Sequence, residues 1–521
     1  PIGSPMKRLF EIAERLKKLR IESSRLNWVK YTTGYDFGVM ENQREILDLL
    51  QDDENWGVIQ DLLQGDLSQL DMRRVNIMEK LFRPYHLSPE LNRLSLAIRE
   101  KVNDLSSVLN SHRRRIGNRE VTAAHVSRIL SSEPDRDLRR EAYLAQTQVN
   151  QPLVKGGFLD LIAMRKDYAD KYGAADYVDY QLQQQELDPV IFDSWNEDMA
   201  DILPLMKKIT CKLGEKYIGD SRVMPWDYSY ISSSIAPQLN RRVNMVEYSE
   251  PVNRLFQKFG FDIGEMNITY DIFPRKNKSE WGYNFPVEEG VDSRILANVS
   301  DRFYEFRVLL HETGHAVHSF SLDPNELILN MGISGIISEG IANLFGGLRS
   351  HASFFGDFFD KEAEADFRLL GLWSRVLKLR SVVRILFDQA LYREEPETEE
   401  DIAGMVWATR KRILNEDPYA SEPVWAVTIH HTTHPIYLHN YLLGDLTCDM
   451  LKTVFQMRKS VEDFMEEPQL FGDFLREEVI SPSGRYPFLL HFKRISGREV
   501  SLAFLTEQLR REASKTEDIL R

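Results

Sequence analysis

The chain has 521 residues, of which 42% are hydrophobic and 28% charged, with a formal net charge of −14 at pH 7. This excess of acidic groups argues against nucleic acids and anionic membrane surfaces as partners, and no apolar run approaches the length of a membrane span. The only two cysteines, Cys211 and Cys448, have no metal-type spacing, so we expect no disulfide framework and a reducing, cytoplasmic setting.

The first 205 residues are predicted to form one helix after another. Pro1–Pro5 indicate the remnant of an expression tag, which makes Met6 the expected native start and residues 6–205 an N-terminal helical lobe. Strand-like alternation is scarce in this lobe. Its clearest helices are predicted at Met6–Leu26, Asn42–Leu63, Pro89–Leu109, Asp137–Asn150 and Lys155–Lys171.

The composition changes between Met224 and Ser300, where short β-like runs alternate with Gly and Pro. These runs include Pro225-Trp226-Asp227, Tyr270–Val287 and Ile295–Ser300. We expect a small sheet at about residues 265–300, packed on the helix that follows.

An uninterrupted HExxH motif, written HETGH, begins at His311. Residues i and i+4 share a face of a helix, so the imidazoles of His311 and His315 can bind one metal ion. Glu312 then lies beside the metal, where it can take a proton from a zinc-bound water. Apolar residues at helical spacing surround the motif, and the helix is predicted to begin near Ser300-Asp301 and to end at Asp323-Pro324.

Glu339 is the candidate for the third ligand. It lies 24 residues after His315, within a second apolar-periodic segment, Ile336–Leu348. A carboxylate on a second helix closes a His2Glu site and leaves the fourth position for water, as catalytic zinc requires. The extended motif with a third histidine is excluded, because Ser321 occupies its last position. We therefore expect one Zn²⁺ per chain.

Four of the twelve histidines fall in the segment 430–439. Pro435 is predicted in the first turn of a helix, which would place Tyr437 and Tyr441 on one face and His431 on the preceding loop. Phenol and imidazole donors are the groups that a tetrahedral oxyanion needs. We predict that His431 and Tyr441 donate to it, with Tyr437 as the alternative tyrosine and His434 as a substrate-binding residue.

Several segments together resemble the thimet oligopeptidase / oligoendopeptidase F family of zinc metallopeptidases. The similar segments are LLHETGHAVH, YDIFPRKNK, Pro225-Trp226-Asp227, HHTTHPIYLHNY and the C-terminal stretch Ser481–Leu505. They span about residues 225 to 505, whereas the first 200 residues match only in being helical. The segment with His431 and Tyr441 is also similar to one in the angiotensin-converting-enzyme family.

The resemblance implies a mostly α fold with a zincin-like core, a small β-sheet beside the HExxH helix, and two helical lobes that form a clam-like molecule around a deep channel. Residues 206–521 would then be the catalytic region. Within it we expect the zinc helices at about 301–349 and a C-terminal helical lobe at about 360–521.

The chain departs from the family pattern after the third ligand. The family often has a carboxylate seven residues after that ligand, where this chain has Gly346, and Gly340 replaces the usual Ser or Thr. Asn343, one turn after Glu339, is predicted to orient a metal-binding imidazole instead.

The resemblance implies a zinc-dependent endopeptidase that cleaves short unstructured peptides, because folded proteins cannot enter the channel. The segment near Gly282-Tyr283 is expected to pair with the peptide as an added strand. A peptidyl-dipeptidase or carboxypeptidase remains open, and would need a cation such as Arg275, Lys276 or Lys278 for the substrate carboxylate. The remaining alternative is a catalytically inactive helical binding protein. The sequence does not determine the oligomeric state.

Overall fold

The structure is a computed structural model that describes residues 4–521, with side chains from Met6 onward. Part of the predicted tag remnant, residues 1–3, lies outside the described residues. The described chain is mostly helical and contains one small mixed sheet and one short hairpin, as the sequence predicts for the fold class. Among the described residues, no helix has the length and hydropathy that crossing a membrane requires.

The helices are numbered in chain order. The first twelve are α1 Ser4–Thr33, α2 Val39–Gln51, α3 Asp53–Leu63, α4 Gln69–Phe82, α5 Pro89–Ser111, α6 Ala123–Ser132, α7 Arg136–Ala145, α8 Asn150–Lys155, α9 Phe158–Tyr172, α10 Tyr177–Gln184, α11 Trp195–Ile218 and α12 Tyr228–Ile235. The others are α13 Ser249–Lys258, α14 Phe306–Phe320, α15 Gly335–Gly347, α16 Ala352–Phe355, α17 Ala363–Arg380, α18 Val382–Arg393, α19 Glu399–Leu414, α20 His430–Thr433, α21 His439–Lys459, α22 Pro468–Phe474, α23 Phe488–Ser496, α24 Ala503–Lys515 and α25 Glu517–Leu520. The strands are β1 Arg114–Ile116, β2 Arg119–Val121, β3 Ile268–Asp271, β4 Tyr283–Glu288 and β5 Asp292–Leu296.

The chain divides into two compact units, and each is assembled from three stretches of sequence. Unit 1 contains the chain up to Leu87 together with Gln238–Phe359 and Gly444–Val500. Unit 2 contains Ser88–Pro237, Asp360–Leu443 and Ser501–Arg521. The single boundary near residue 205 and the clam-like shape stay predictions.

Unit 1 contains the three-stranded sheet, in the order β3-β5-β4, with β3 parallel and β4 antiparallel to β5. Phe285, Val287 and Leu296 pack on the apolar side of α1, where Trp28 meets Phe285 edge to face at 5.4 Å. Pro286 has no N–H to give to a ladder, which suits the edge strand β4. The sheet therefore lies at residues 268–296, as the sequence predicts.

A buried lysine holds the turn after β3. Lys278 Nζ donates to the carbonyls of Asp271, Phe273 and Ala297, and forms an ion pair with Asp271 at 3.0 Å. Asp271 also accepts two hydrogen bonds from Arg275. The YDIFPRKNK segment is thus a strand-turn, and two of its three cations have partners within the turn.

Unit 2 is built around α11, whose buried residues recur at helical spacing. The Pro225-Trp226-Asp227 segment is fixed by charge, because the fully buried Asp227 accepts from both Arg136 and Arg139. Removing one partner from such a buried ion pair costs about 3–5 kcal/mol. This motif therefore stabilises unit 2.

One helix predicted in the N-terminal lobe is wrong in its extent. The predicted helix Asn42–Leu63 is interrupted at Asp52, whose carboxylate caps α3 by accepting from Asn55 N at 3.0 Å. The lobe also contains a short hairpin, β1-β2, that the sequence analysis did not predict. It turns at Gly117, a residue with φ +61°.

Candidate metal centre

The HExxH motif lies on α14, as the motif requires. The helix is shorter than predicted, because a 3₁₀ turn, Phe303–Glu305, precedes it and it ends at Phe320. Ser300 does not cap it, since its Oγ donates to the buried Glu305 carboxylate at 3.0 Å. The apolar side of α14 is buried, whereas His311, Glu312 and His315 lie on a partly exposed side.

Glu339 lies on α15, which is capped by Ser334, whose hydroxyl accepts from Ile336 N. The two helices pack very closely at Gly314. A Cβ atom on Gly314 would lie 3.0 Å from the Phe345 ring and 3.2 Å from Ala342 Cα. This close approach brings the carboxylate of Glu339 to the two imidazoles.

Three groups converge on one point of unit 1. Glu339 Oε1 lies 2.9 Å from His311 Nε2 and 3.5 Å from His315 Nε2, and the possible ligand atoms of the three residues all lie within 4.8 Å of one another. No other group of three His, Cys, Asp or Glu residues among the described residues could hold a metal ion. Two imidazoles and one carboxylate form the donor set of a catalytic zinc site.

The two carboxylates of the centre differ in their electrostatics. Burial raises the pKa of Glu312 above its ordinary value, although the neighbouring imidazoles oppose this effect. Burial would also raise the pKa of Glu339, but hydrogen bonds from His311 and His315 outweigh it and hold that pKa well below its ordinary value. Glu339 is therefore ionised as a ligand must be, and Glu312 is the more basic of the two.

Ser338 orients one of the imidazoles, and sequence reasoning missed it. His315 Nδ1 lies 3.0 Å from Ser338 Oγ, which leaves Nε2 for a metal. Asn343, for which this kind of role is predicted, donates instead to Asp445 at 3.2 Å. A Cβ atom on Gly346 would lie 3.2 Å from His311 Cβ, so the backbone of α15 occupies the space beside that ligand.

The sheet lies against α14. The Tyr270 hydroxyl on β3 is hydrogen-bonded to the buried Thr313 hydroxyl at 2.6 Å, and burial raises the pKa of this tyrosine. Gly282 immediately precedes β4, and a Cβ there would lie 3.3 Å from Leu296 O. Tyr283 is 38% exposed and stacks on Tyr31 at 5.1 Å. In the described chain β4 pairs only with β5, so its other edge has no partner strand.

The His/Tyr segment belongs to unit 2, and its local structure differs from the prediction. Residues 430–433 form the short helix α20, and the next helix begins at His439, so Pro435 and Tyr437 lie in a loop. Ile436 has φ +53°, an unfavourable conformation for a β-branched residue. Because this loop replaces the first turn of the predicted helix, Tyr437 and Tyr441 do not lie on one helical face.

Asp388 holds both α20 and the loop that follows it. One carboxylate oxygen lies 2.6 Å from His431 Nδ1, and the other accepts from Ile436 N at 2.7 Å. His431 and Asp388 are each 1% exposed. Arg165 Nη2 donates to Thr432 O, on α20, at 2.5 Å. Asp388 thus fixes the ring of His431 through Nδ1, and it lies 43 residues away in sequence, where no motif signals it.

The two candidate tyrosines are accessible. Tyr441 is 47% exposed and its hydroxyl lies 3.2 Å from His430 Nε2, whereas Tyr437 is 41% exposed and its ring lies 5.6 Å from that of Tyr441. His434 Nδ1 lies 2.8 Å from Thr433 Oγ1. The rings of His434, Tyr437 and Tyr441 are therefore neighbours within unit 2, whereas the ring of His431 is buried against Asp388 and Phe387.

Three solved structures with this fold have the names of peptidases. The chain is similar to a putative oligoendopeptidase F (TM-score 0.69, 15% identity, 100% of this chain and 98% of that one). It is also similar to PZ peptidase A with an inhibitor (0.68, 14%, 99% and 98%) and to the M32 carboxypeptidase of Deinococcus radiodurans R1 (0.63, 16%, 99% of both). The searches with protein-family models and against curated proteins gave no match. These similarities confirm the fold that the resemblance implied.

Proposed function

We propose that this protein is a zinc-dependent peptidase that hydrolyses short unstructured peptides, with endopeptidase activity as its main reaction. The observation that carries the proposal is the convergence of His311, His315 and Glu339 to within 4.8 Å, with Glu312 beside them on the same helix. Three solved peptidases with the same fold support it. The intact donor set disfavours an inactive binding protein.

The residues fit a single zinc ion. Ser338 engages His315 through Nδ1, so the Nε2 atoms of both histidines face Glu339, which is ionised. When bound there, zinc would polarise the scissile carbonyl and lower the pKa of a water molecule toward 7. Glu312 would take the proton of that water and pass it to the leaving amine. Because the pKa of Glu312 is raised, its carboxylate can accept the proton of the water and its carboxylic acid can release that proton to the amine.

His431 and Tyr441 are proposed as donors to the oxyanion, with Tyr437 as the alternative tyrosine. Support comes from the resemblance of their segment and from the way Asp388 fixes the His431 ring through Nδ1. Removing one such donor typically lowers kcat by about 10²–10³-fold. His434 is proposed to bind substrate. If Tyr437→Phe lost this activity and Tyr441→Phe kept it, the assignment of the tyrosine would be reversed.

The open edge of β4 is proposed to pair with the peptide backbone. β4 has no partner strand on that side among the described residues, and the half-exposed Tyr283 lies at its start, next to Gly282, a residue type that allows close backbone approach. Main-chain hydrogen bonds of this kind bind extended peptides with little dependence on sequence.

The decisive test is the hydrolysis of quenched-fluorescent peptides by the zinc-loaded protein and its Glu312→Gln variant. We expect cleavage by the wild type and a loss of more than 10²-fold in the variant, with internal products by mass. Glu250→Gln is the matched control, since Glu250 is 76% exposed and lies on α13. Equal cleavage by Glu312→Gln would overturn the assignment of the base, and no cleavage by the loaded wild type would overturn the function.

A carboxypeptidase or peptidyl-dipeptidase reaction is the second candidate, since one solved structure with this fold is an M32 carboxypeptidase. Of the cations predicted for it, Arg275 and Lys278 are paired with Asp271. Arg384 forms no ion pair within the described chain, and it lies near Tyr441 in unit 2. A C-terminally amidated peptide that is cleaved as well as its free acid would exclude this reaction.

A further inference from the structure

Arg349 is a buried cation without an acidic partner. It is 9% exposed and follows α15 in a 3₁₀ turn, Leu348–Ser350. Its guanidinium donates to Tyr304 O and to Ser350 Oγ, each at 3.3 Å, while its buried Nε has no partner among the described residues. Burial, and then the charge of Arg307, lower its pKa to about 10. A buried charge is normally paired with an opposite charge, so this site lacks an anion.

Arg307 is a second cation without a partner at the same place. Its exposed side chain makes no hydrogen bond or ion pair within the described part of the chain. The acid nearest to it in sequence, Glu305, is buried and engaged by the backbone and hydroxyl of Ser300. Two guanidinium groups therefore lie near each other with no carboxylate between them.

Both cations lie beside the metal centre in unit 1. Arg307 precedes His311 by four residues and shares its face of α14, which corresponds to about 6 Å along the helix axis. Helix α15 runs alongside, because a Cβ atom on Gly346 would lie 3.2 Å from His311 Cβ and 3.3 Å from Arg307 O, and Arg349 donates to Tyr304 O. The exposed side chains of Tyr304 and Val308 continue the same open face.

We propose that Arg307 and Arg349 form a subsite that binds a carboxylate of the peptide substrate, about two residues from the scissile bond. The inference rests on the proposed peptidase function and adds a substrate class to it. An extended peptide advances about 3.3 Å per residue, so a group two residues from the cleaved bond spans the separation of Arg307 from His311. Guanidinium groups bind carboxylates through paired, charge-assisted hydrogen bonds, which are the stronger kind.

The carboxylate has two possible sources, an acidic side chain or the free C-terminus. The probe is a series of peptides with one Glu placed at successive positions on either side of the cleaved bond, each matched by a Gln peptide. Each peptide is made as the free acid and as the C-terminal amide. If the amidated Glu peptide is cleaved faster than the amidated Gln peptide, the subsite binds an acidic side chain. If the Gln peptide is cleaved faster as the free acid than as the amide, the subsite binds the C-terminal carboxylate.

We expect the preferred carboxylate to raise kcat/KM about 10- to 100-fold, the usual contribution of a hydrogen-bonded charge. Arg307→Gln should remove this preference and leave the cleavage of uncharged peptides within about threefold of the wild type. Arg349→Gln should act in the same direction. Arg254→Gln is the control, since Arg254 is an exposed cation of the same unit that already has acidic partners. A preference that survives Arg307→Gln, or is lost only in Arg384→Gln, would overturn the subsite.

Binding measured without turnover separates this inference from the function on which it rests. The zinc-loaded Glu312→Gln variant should bind the preferred peptide about tenfold more tightly than its uncharged match, and the added Arg307→Gln change should abolish the difference. Equal binding of the two peptides would refute the subsite even if the wild type is an active peptidase. Charge-selective binding without wild-type cleavage would refute the peptidase and retain the subsite.

Discussion

Ser338 illustrates how a single hydroxyl can prepare a metal ligand. Its oxygen lies 3.0 Å from His315 Nδ1, and when it accepts the Nδ1 proton the lone pair of the imidazole is on Nε2, the atom that faces Glu339. Partners of this kind fix the tautomer and the ring orientation of a metal-binding histidine. In this chain the hydroxyl comes from the residue that precedes the third ligand, so one turn of α15 supplies both the ligand and the orienting group.

Ser338→Ala should therefore weaken zinc binding by about 10- to 100-fold, the usual cost of losing such a partner. The measurement is competition for zinc with a chromophoric chelator, which needs no peptidase activity. Ser338→Thr keeps the hydroxyl and should bind zinc within a few-fold of the wild type. An unchanged affinity in Ser338→Ala would show that the packing of α14 on α15 suffices to orient His315.

Asp388 contacts both His431 and Ile436, so its substitution should affect the orientation of the His431 ring. It meets His431 Nδ1 at 2.6 Å and accepts from Ile436 N, which lies in an unfavourable left-handed conformation. Asp388→Asn should lower kcat by about 10²-fold with little change in KM, because a mis-set His431 is a lost oxyanion donor. Nitrogen chemical shifts of His431 should report a changed tautomer. A mainly structural role would instead lower stability and leave both the tautomer and kcat unchanged.

At the scale of elements, the sequence predicted the helices and strands whose positions follow from apolar periodicity and from the spacing of the candidate ligands. The metal-binding helices and the small sheet are of this kind, because their apolar faces and ligand positions repeat along one segment. The start of α14 was wrong because the hydroxyl of Ser300 is taken by Glu305, and the turn at Pro435 was wrong because Ile436 is held by a distant aspartate. Such contacts join separate elements and leave no periodic trace in either.

The N-terminus of α19 contains a pH-sensitive pair. Burial, and then the carboxylate of Glu422, raise the pKa of Glu399 to about 7. Because the folded pKa lies above the unfolded one, ionising Glu399 destabilises the fold. This cost is absent below about pH 4.5, grows between about 4.5 and 7, and is constant above.

Glu399→Gln should accordingly raise the free energy of unfolding at pH 8 by about 1 kcal/mol, and change it little at pH 4. This magnitude is smaller than the pKa shift alone would suggest, because the pair is partly solvated and acidic groups are favoured in the first turn of a helix. Denaturant unfolding at both pH values provides the measurement. Glu395→Gln, which changes an exposed acid just before α19, should show no such pH dependence.

At the scale of the whole molecule, each unit gathers three distant stretches of sequence. The resemblance predicted the fold correctly although it covered only the chain after about residue 225. Long-range assembly was beyond the sequence, since Asp227 is neutralised by arginines about 90 residues earlier and Asp388 meets His431 across 43 residues. The convergence of His311, His315 and Glu339 was predictable because these candidate ligands span only 28 residues on two consecutive helices.

All three candidate ligands belong to unit 1, so the stabilisation that zinc provides should be specific to that unit. A ligand that binds only the folded state stabilises it by about 2.7 kcal/mol at a hundredfold excess over its Kd. Zinc added to the metal-depleted protein should therefore raise the Tm, and if the two units unfold in separate steps only one transition should move. Differential scanning calorimetry with and without zinc measures this. Glu339→Gln should abolish the shift, whereas Glu250→Gln should retain it. An equal shift in Glu339→Gln would mean that zinc binds elsewhere and that the convergence of these three side chains has another cause.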